Sequence, residues 1–495
     1  MADRGGAVNR LSWSHLPAAT RLDVQLPPNR TLAESVGIVH LGIGAFHRAH
    51  QAVFTEDAAV IAQEPGWGIC GVTQRSSTVV DQLRPQDGLY AVLERSRSEV
   101  RARVVAQVSD VLFAAQEGER LLRLLADPAV RIVTMTVTEK GYRRRADGTL
   151  DLDDPAVAHD LSSPGRGHAG SRSIVGQLVR GLQARQTCGA GPLTLLSCDN
   201  LTENGRVLQG LLQDFCRALP GRDGEDAATW IADNVTFPCS MVDRIVPATT
   251  ERDRADAAAL LGVRDEALVV AEPFGQWVIE DRFAAGRPAW ERAGATLVDD
   301  VAPYEQLKLR VLNGTHSMLA YLGALAGYET IADTVADPAL RSAARRLVDD
   351  DVAPTLQVPP GVDVSAYADQ VLDRFANPAL GHRTTQVAMD GSQKLPVRLL
   401  GTARDRLATG AVPDSVALAI AAWMAYVVRG RDITGRPLPL DDPLEPRLRK
   451  AVRDAPGDAR SITDALLGIP EIFGTELTDY PAFSAAVATH LKELL

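Results

Sequence analysis

Four polar residues in the second half of the chain have the types and spacing that proton-transfer chemistry needs: Glu305, Lys308, Asn313 and His316. In a helix, at roughly 100° per residue, their side chains fall within one arc of roughly 140°. Two leucines of the same segment fall in that arc. A helix that faces solvent places its charged residues opposite its leucines. The pattern therefore indicates polar groups that face a semi-buried pocket.

Such a pocket would suit acid–base chemistry on a hydroxyl or carbonyl group. Apolar surroundings lower the pKa of a lysine toward neutrality, so Lys308 can take a hydroxyl proton in one direction and return it in the other. Asn313, with an amide from the loop at Asn204, can stabilise the developing oxygen charge, and His316 can bond the same oxygen. A solvated lysine beside a satisfied core histidine remains the alternative at this point.

A cofactor motif stands early in the chain. Val36–Leu41 reads as a continuous apolar strand of the kind that parallel sheets bury on both faces. It runs into a Gly-x-Gly turn and a helical pattern, as in dinucleotide-binding folds. The sixth position of the motif holds His47 instead of glycine, so an ordinary strand-to-helix turn stays open. The cofactor-binding residues predicted at this turn are Gly42, Ile43, Gly44, Ala45 and Phe46.

The residues after other predicted strands extend this site, because an open sheet binds its ligands at the carboxyl ends of its strands. Thr138, Glu139 and Asn200 follow two such strands. The second strand lacks the acidic residue that takes a ribose hydroxyl and has Arg75 instead, which suits a 2′-phosphate or an adenine ring. The choice between NAD and NADP is open here. Asp243 precedes an arginine inside an apolar run. The two can form a structural ion pair, or they can have a functional role.

Composition limits the possible partners. A net charge of -11 over 495 residues argues against nucleic acid or an anionic membrane. The apolar run Val416–Val428 is too short to span a bilayer and predicts a buried helix. The five cysteines show no C-x-x-C spacing, and His47-x-x-His50 lacks a third ligand, so we expect reduced thiols, no metal and a cytoplasmic protein.

Strand-like and helical segments alternate up to about residue 300, and helical periodicity follows. This order predicts an open α/β sheet and then a mostly α-helical domain. We place an N-terminal arm at 1–30, a dinucleotide-binding domain at 31–300 and a helical catalytic domain at 301–495. The segment 143–172 reads as a surface excursion. The predicted strands are 36–41, 68–73, 90–94, 100–108, 131–138 and 192–197.

These motifs together resemble the mannitol dehydrogenase family, the polyol-specific long-chain dehydrogenases/reductases. The resemblance runs from about residue 30 to the C-terminus. It is carried by segments that occur in the family's order: 42–51, Cys198-Asp199-Asn200, Met241–Ile245, Glu272-Pro273-Phe274, Gly286-Arg287-Pro288 and Lys308-x4-Asn313-x2-His316. It implies a Rossmann-type domain followed by an α-helical domain, with NAD(H) favoured over NADP(H) and no catalytic metal.

The resemblance also implies roles for the site residues. Lys308 would be the general acid/base, and Asn204 and Asn313 the pair that stabilises the oxyanion. His316 and Asp243 would hold the substrate and the surroundings of the lysine. Glu305 would lie on the proton path between the lysine and solvent.

The substrate is less determined. Lys394 matches the substrate-binding lysine of the family, but Gln386 stands where mannitol 2-dehydrogenases have an arginine. The segment 382–390 looks more like that of fructuronate reductases, which reduce D-fructuronate to D-mannonate with NADH. A uronate carboxylate needs a cationic partner, and the candidates are Arg383, first, then Arg310 and Lys394. Each of these three residues can equally belong to a surface or interdomain ion pair.

Three functions follow from this reading. The leading one is an NAD(H)-dependent ketone reductase for a sugar acid. The alternatives are a mannitol or arabinitol dehydrogenase acting on neutral polyols, and a catalytically inactive nucleotide-binding interaction protein. The sequence leaves the oligomeric state open and is compatible with a monomer.

Overall fold

The computed structural model describes residues 9–16, 23–27, 33–145, 147–163 and 170–495. The chain divides into two compact units, residues 1–302 and 303–495. The predicted arm at 1–30 falls partly outside the described residues. Its described part contributes a short strand, Val24–Gln25, to a sheet of the first unit.

The first unit contains a six-stranded parallel sheet in the order β6-β3-β2-β7-β8-β9. Residues of its strands alternate between two cores. Val39 and Leu41 pack with the helices on one face, and Ile38 packs with tryptophans on the other. The strands of the unit are β1 Val24–Gln25, β2 Val36–Leu41, β3 Gly68–Thr73, β4 Tyr90–Arg95, β5 Val100–Val105, β6 Val108–Phe113, β7 Ile132–Met135, β8 Leu193–Ser197, β9 Val235–Thr236, β10 Ser240–Asp243, β11 Val269–Ala271, β12 Gln276–Glu280 and β13 Thr296–Val298.

This strand order is that of the doubly wound dinucleotide-binding fold, and the α/β Rossmann-type prediction is confirmed. The order of the strands reverses between the parallel neighbours β2 and β7, and in this fold the ligand crevice lies beyond the carboxyl ends of such strands, here Leu41 and Met135. The helices of the unit are α1 Ala45–Ala49, α2 Gln51–Ala62, α3 Thr78–Leu83, α4 Ala114–Leu125, α5 Pro155–Ser162, α6 Ile174–Cys188, α7 Asn204–Ala218, α8 Arg222–Asn234 and α9 Glu251–Leu261.

Two smaller sheets complete the unit, in the orders β1-β5-β4-β11 and β10-β12-β13. The prediction of one strand over 100–108 is wrong, because β5 ends at Val105 and β6 begins at Val108 in the large sheet. Gln107 lies between them. Its buried side chain donates to the carbonyl of Trp67 at 2.8 Å. The predicted surface excursion at 143–172 contains the helix α5.

The second unit is helical, as predicted. Its central helix α18, Asp414–Arg429, includes the apolar run 416–428 and is buried along most of its length, which confirms the buried-helix prediction. Among the described residues, no helix has both the length and the apolar character needed to cross a membrane. The helices are α10 Ala302–Leu307, α11 Gly314–Leu325, α12 Ile331–Ala336, α13 Pro338–Arg346, α14 Val364–Phe375, α15 Thr384–Val387, α16 Gly391–Leu395, α17 Gly401–Ala408, α18 Asp414–Arg429, α19 Glu445–Asp454, α20 Ala459–Leu467, α21 Pro470–Phe473 and α22 Pro481–Leu494.

Three π-helical segments interrupt these helices: Lys308–Asn313, Leu347–Val352 and Pro396–Leu400. The first joins α10 to α11, so the chain is helical without a break from Ala302 to Leu325. It packs against both of the others. π-Helical turns inside α-helices are uncommon and are frequently found at functional sites.

Candidate active site

The turn after β2 has the features of a phosphate-binding loop. Gly42 has φ of +93°, and a Cβ atom there would lie 2.2 Å from the carbonyl oxygen of Thr136, so no other residue fits. A Cβ on Gly44 would meet nothing nearer than 3.7 Å. The surrounding protein therefore does not require glycine at 44. The close approach of a dinucleotide pyrophosphate to this backbone would require glycine at 44.

His47, which departs from the glycine pattern, is part of the core. Its buried ring stacks on that of His40, with the ring centroids 3.4 Å apart. Burial lowers the pKa of both rings, that of His40 to about 3, so both are neutral at pH 7. In the part of the chain that the structure describes, no three His, Cys, Asp or Glu side chains form a metal-binding group. The stacking supports the packing explanation for this histidine.

A cavity of about 320 Å³ lies at the crevice of the large sheet. That is the size range of small-molecule pockets. Five of the predicted cofactor residues line it: Gly42, Ile43, Gly44, Arg75 and Thr138.

The other four predicted cofactor residues do not line the cavity. Ala45 begins α1, and the Phe46 ring stacks on that of His50 at 5.0 Å. Glu139 and Asn200 are exposed. Sequence reasoning missed cavity residues that carry no motif, among them Gln74, Ser76, Arg143 and Arg172. The last two fall in the segment read as a surface excursion.

A buried carboxylate holds the strand end at Thr138. Asp199 accepts hydrogen bonds from the backbone N–H groups of Val137 at 3.1 Å and Thr138 at 2.8 Å, and from the hydroxyl of Tyr142 at 2.7 Å. Thr138 has φ of +67° and ψ of 160°, which is costly for a β-branched residue. Burial raises the pKa of Asp199 in spite of these bonds. This aspartate belongs to the sequence motif Cys198-Asp199-Asn200, but the sequence alone indicated no role for it.

Asn204, the first residue of α7, is fully buried in the first unit. Its amide nitrogen donates to the carbonyl oxygens of Asp199 at 3.0 Å and Ser240 at 2.7 Å, and its oxygen accepts from the Ser240 N–H at 3.0 Å. Both amide hydrogens are therefore engaged. In this arrangement the side chain has no hydrogen left for a substrate oxygen.

Asp243 ends β10 and is buried, and the arginine that follows it turns away to other partners. Arg244 donates to the carbonyl oxygens of Glu272 and Ala49 and to the carboxylate of Glu94. Arg244 is thus the structural member of this predicted pair.

In the second unit, the helix that carries the predicted catalytic residues is not a regular α-helix. The N–H of Gly314 bonds to the carbonyl of Leu309, five residues earlier, and the π segment covers Lys308–Asn313. This closure adds one residue to each turn, so residues five apart lie nearly above one another. In an α-helix they would diverge by roughly 140°. The π segment therefore brings Lys308 and Asn313 closer to one line than the sequence predicted.

All four residues of this segment that we singled out are buried. Lys308 is 8% exposed, Asn313 7% and His316 8%. Among the described residues, the Asn313 Nδ2 and His316 Nε2 atoms have no hydrogen-bond partner. Burying polar atoms without partners costs about 1–3 kcal/mol each. Such a cost at two neighbouring positions is expected where a substrate supplies the missing acceptor or donor.

The surroundings of His316 are aromatic and cationic. Its ring stacks on Phe375 at 4.6 Å and lies 5.0 Å from the ring of His382. Burial lowers the pKa of His316 well below its usual value, and neighbouring positive groups add to the effect. The imidazole is therefore neutral at pH 7. The neighbours that lower its pKa are His382, Arg398, Lys394 and Arg374.

The three predicted carboxylate-binding residues have different environments. Lys394 is half-buried on α16 and donates to the carbonyl of Val387 at 3.2 Å. Arg310 donates to Thr355 and forms an ion pair with Asp405. Arg383 is exposed at the N-terminus of α15. Arg398 was not among the predictions; it is half-buried and donates to the hydroxyl of Ser317, next to His316, at 3.0 Å.

The chain matches two family profiles over nearly its whole length. The "Mannitol dehydrogenase Rossmann domain" matches residues 36–292, and the "Mannitol dehydrogenase C-terminal domain" matches residues 300–495.

Individual relatives cover both domains. An uncharacterized oxidoreductase of Escherichia coli K12, YdfI, is 47% identical over 92% of each chain. The D-mannonate oxidoreductase of the same organism is 42% identical over 100% of this chain and 97% of its own. Among solved structures, Pseudomonas fluorescens mannitol 2-dehydrogenase in ternary complex with NAD and D-mannitol is 36% identical, with a TM-score of 0.85 over 98% of this chain and 96% of that one.

Proposed function

The chain belongs to the mannitol dehydrogenase family, and on that basis we propose that it reduces the ketone of D-fructuronate to the secondary alcohol of D-mannonate with NADH. The enzyme class and the cofactor are those of the family: an NAD-dependent oxidoreductase that acts on CH–OH groups. The sugar acid is the proposed part.

The cationic surroundings of His316 carry the choice of a sugar acid. Arg398 donates to the hydroxyl of Ser317, next to His316, at 3.0 Å, and the positive charges of Arg398, Lys394 and Arg374 help burial to lower the pKa of this imidazole. A neutral polyol has no need of several positive charges, whereas a buried carboxylate needs a charge-assisted partner. The name of the D-mannonate oxidoreductase relative agrees with this choice. So does Gln386 in place of the arginine of mannitol 2-dehydrogenases.

This environment changes the order of the carboxylate candidates. We propose Lys394, which matches the substrate-binding lysine of the family, as the first partner, and Arg398, which donates to Ser317 next to His316, as the second. Arg383 keeps a second place at the rim, since its side chain is exposed. Arg310 already forms an ion pair with Asp405, so we assign it a structural role and not the binding of the substrate carboxylate.

We assign the proton transfer to Lys308. The dinucleotide supplies the hydride when bound, and the ketone oxygen then needs a proton. Burial disfavours a charged amine, which is the condition under which a lysine can release and regain a proton near neutral pH. Lys308 donates its proton to that oxygen during reduction and removes it during oxidation. We place Glu305, buried one turn earlier on α10, on the path that returns the proton to solvent.

Asn313 and His316 stabilise the oxygen in this proposal. The Asn313 Nδ2 group donates to the oxygen on which negative charge develops, and the neutral His316 bonds it through Nε2. Asn204 can join Asn313 only if it releases one of its two carbonyl partners. Asp243 is the buried acid that we assign to the surroundings of the substrate and the lysine.

The test is a comparison of four substrates. NADH oxidation with D-fructuronate is measured beside D-fructose, and NAD reduction with D-mannonate beside D-mannitol. A clear preference for the two acids supports the proposal. A preference for fructose and mannitol makes the chain a polyol dehydrogenase, the activity named for the structural relative. No turnover with any of the four supports the inactive nucleotide-binding alternative.

A further inference from the structure

The cofactor cavity of the first unit has an unusual charge for an NAD site. Of the residues that the structure describes, three arginines line it, Arg75, Arg143 and Arg172, and no aspartate or glutamate does. Rossmann domains that select NAD present an acidic side chain near the end of the second strand, which accepts from the ribose 2′-hydroxyl and repels a 2′-phosphate. This cavity lacks that group and presents positive charge.

The residues that follow β3 occupy the position of the missing acid. Gln74 forms a reciprocal pair with Gln177 of α6, in which each amide nitrogen donates to the other oxygen at 3.0 Å. Gln74 is therefore held against the protein. The next two residues, Arg75 and Ser76, line the cavity and are exposed. They offer a guanidinium and a hydroxyl where a ribose is expected.

The positive charge of this rim is only partly neutralised. Arg143 pairs with Asp154 at 3.1 Å. Within the described ranges, the guanidinium groups of Arg75 and Arg172 make no hydrogen bond and no ion pair. Two acids close in sequence to the cavity residues do not neutralise these arginines. Glu139 does not line the cavity, and the Asp160 carboxylate accepts from the Ser173 hydroxyl at 2.7 Å.

We propose that this rim is a subsite for a 2′-phosphate, so that the enzyme accepts NADP(H) as well as NAD(H). Arg75 is the main partner, since a guanidinium binds a phosphate in a bidentate way. The Ser76 hydroxyl, which donates to the Thr78 hydroxyl at 3.2 Å, can donate to the phosphate only if it turns from that partner, and Arg172 adds positive charge to the lining. The inference concerns the dinucleotide alone and does not depend on which sugar is reduced.

The test measures binding without turnover. Dissociation constants of NADH and NADPH are determined by fluorescence titration, and those of adenosine 5′-monophosphate and adenosine 2′,5′-bisphosphate by calorimetry. We expect the wild-type protein to bind NADPH within about tenfold of NADH. We expect it to bind the bisphosphate more tightly than the monophosphate. The reverse order of the two adenosine compounds, or NADPH binding weaker by about a hundredfold or more, would overturn the proposal.

Variants locate the subsite. Arg75→Gln should weaken NADPH by roughly tenfold, the loss of one charge-assisted hydrogen bond, and change NADH by less than about twofold. Arg75→Lys should recover part of the loss. The matched control is Arg101→Gln, which removes an exposed arginine of β5 outside the cavity. Equal weakening of both dinucleotides by Arg75→Gln, or a selective loss in the control, would contradict the assignment to Arg75.

Discussion

Replacement of Asp199 by asparagine tests how the cofactor crevice is held. The carboxylate accepts from two consecutive backbone N–H groups, those of Val137 and Thr138. An asparagine offers one oxygen in place of two, so one buried N–H faces an amide nitrogen instead of an acceptor. Leaving such a group unsatisfied costs about 1–3 kcal/mol. Because burial raises the pKa of Asp199, we attribute the benefit to acceptor geometry and not to charge.

The same change should reach the cofactor. Thr138 holds a backbone conformation that costs about 1–3 kcal/mol, and the bond from its N–H to Asp199 helps to maintain it. When that bond weakens, the strand end can relax and reshape the cavity that it lines. We expect Asp199→Asn to lower the free energy of unfolding by about 1–3 kcal/mol. The dissociation constant for NADH should rise about tenfold.

Urea unfolding and NADH fluorescence titration measure the two effects. The control is Asp110→Asn, which removes a half-exposed partner of Arg120 and should change stability by less than about 1 kcal/mol. Thr138→Gly in the Asp199→Asn background should recover part of the stability, because glycine adopts this φ without strain. An unchanged NADH dissociation constant would refute the link to the cofactor. A double variant no more stable than the single one would refute the part played by strain.

Three further predictions concern proton transfer, substrate charge and pH. Lys308→Ala should lose most of its turnover and still bind NADH; near-normal turnover, measured at saturating substrate, would exclude the acid–base role. Arg383→Ala should raise KM for D-fructuronate by less than Lys394→Ala does. Each variant should raise KM for D-fructose by less than it raises KM for D-fructuronate. A larger effect of Arg383→Ala than of Lys394→Ala on D-fructuronate would make Arg383 the first candidate for the carboxylate partner. The pKa of His40 is about 3 in the folded state and near 6.5 in the unfolded chain, so only the unfolded chain takes up a proton between pH 7 and pH 5.5. His40 alone should therefore lower the unfolding free energy by about 1 kcal/mol over this pH range. Stability therefore rises with pH through this window, and a His40→Gln variant should show a flatter profile in urea unfolding at the two pH values.

Local patterns in the sequence predicted strands β2, β3, β4, β7 and β8 of the first unit. The apolar run 36–41 and the Gly-x-Gly that follows it directly favour a strand and then a turn, and β2 has the predicted bounds. The split between β5 and β6 was missed because the apolar run continues through it. At the break between these strands, Gln107 makes a contact distant in sequence, with the Trp67 carbonyl.

The candidate site shows a similar division. Sequence spacing found the buried polar face at 305–316, because burial leaves a periodic signature. It did not find the π segment, since nothing in Lys-Leu-Arg-Val-Leu-Asn disfavours an α-helix locally. It also did not find that Arg310 pairs with Asp405, 95 residues later, or that Asn204 uses both amide hydrogens. These contacts depend on tertiary packing, which one sequence does not display.

The π segment also affects how this chemistry should be sought in other helices. A π turn amounts to one extra residue inserted into an α-helix. The spacing Lys-x4-Asn therefore belongs to this widened turn. In a regular α-helix the residues that lie above one another are four apart, so the equivalent spacing would be Lys-x3-Asn. Transfer of Lys308 and Asn313 to a designed straight helix should accordingly drop one residue between them.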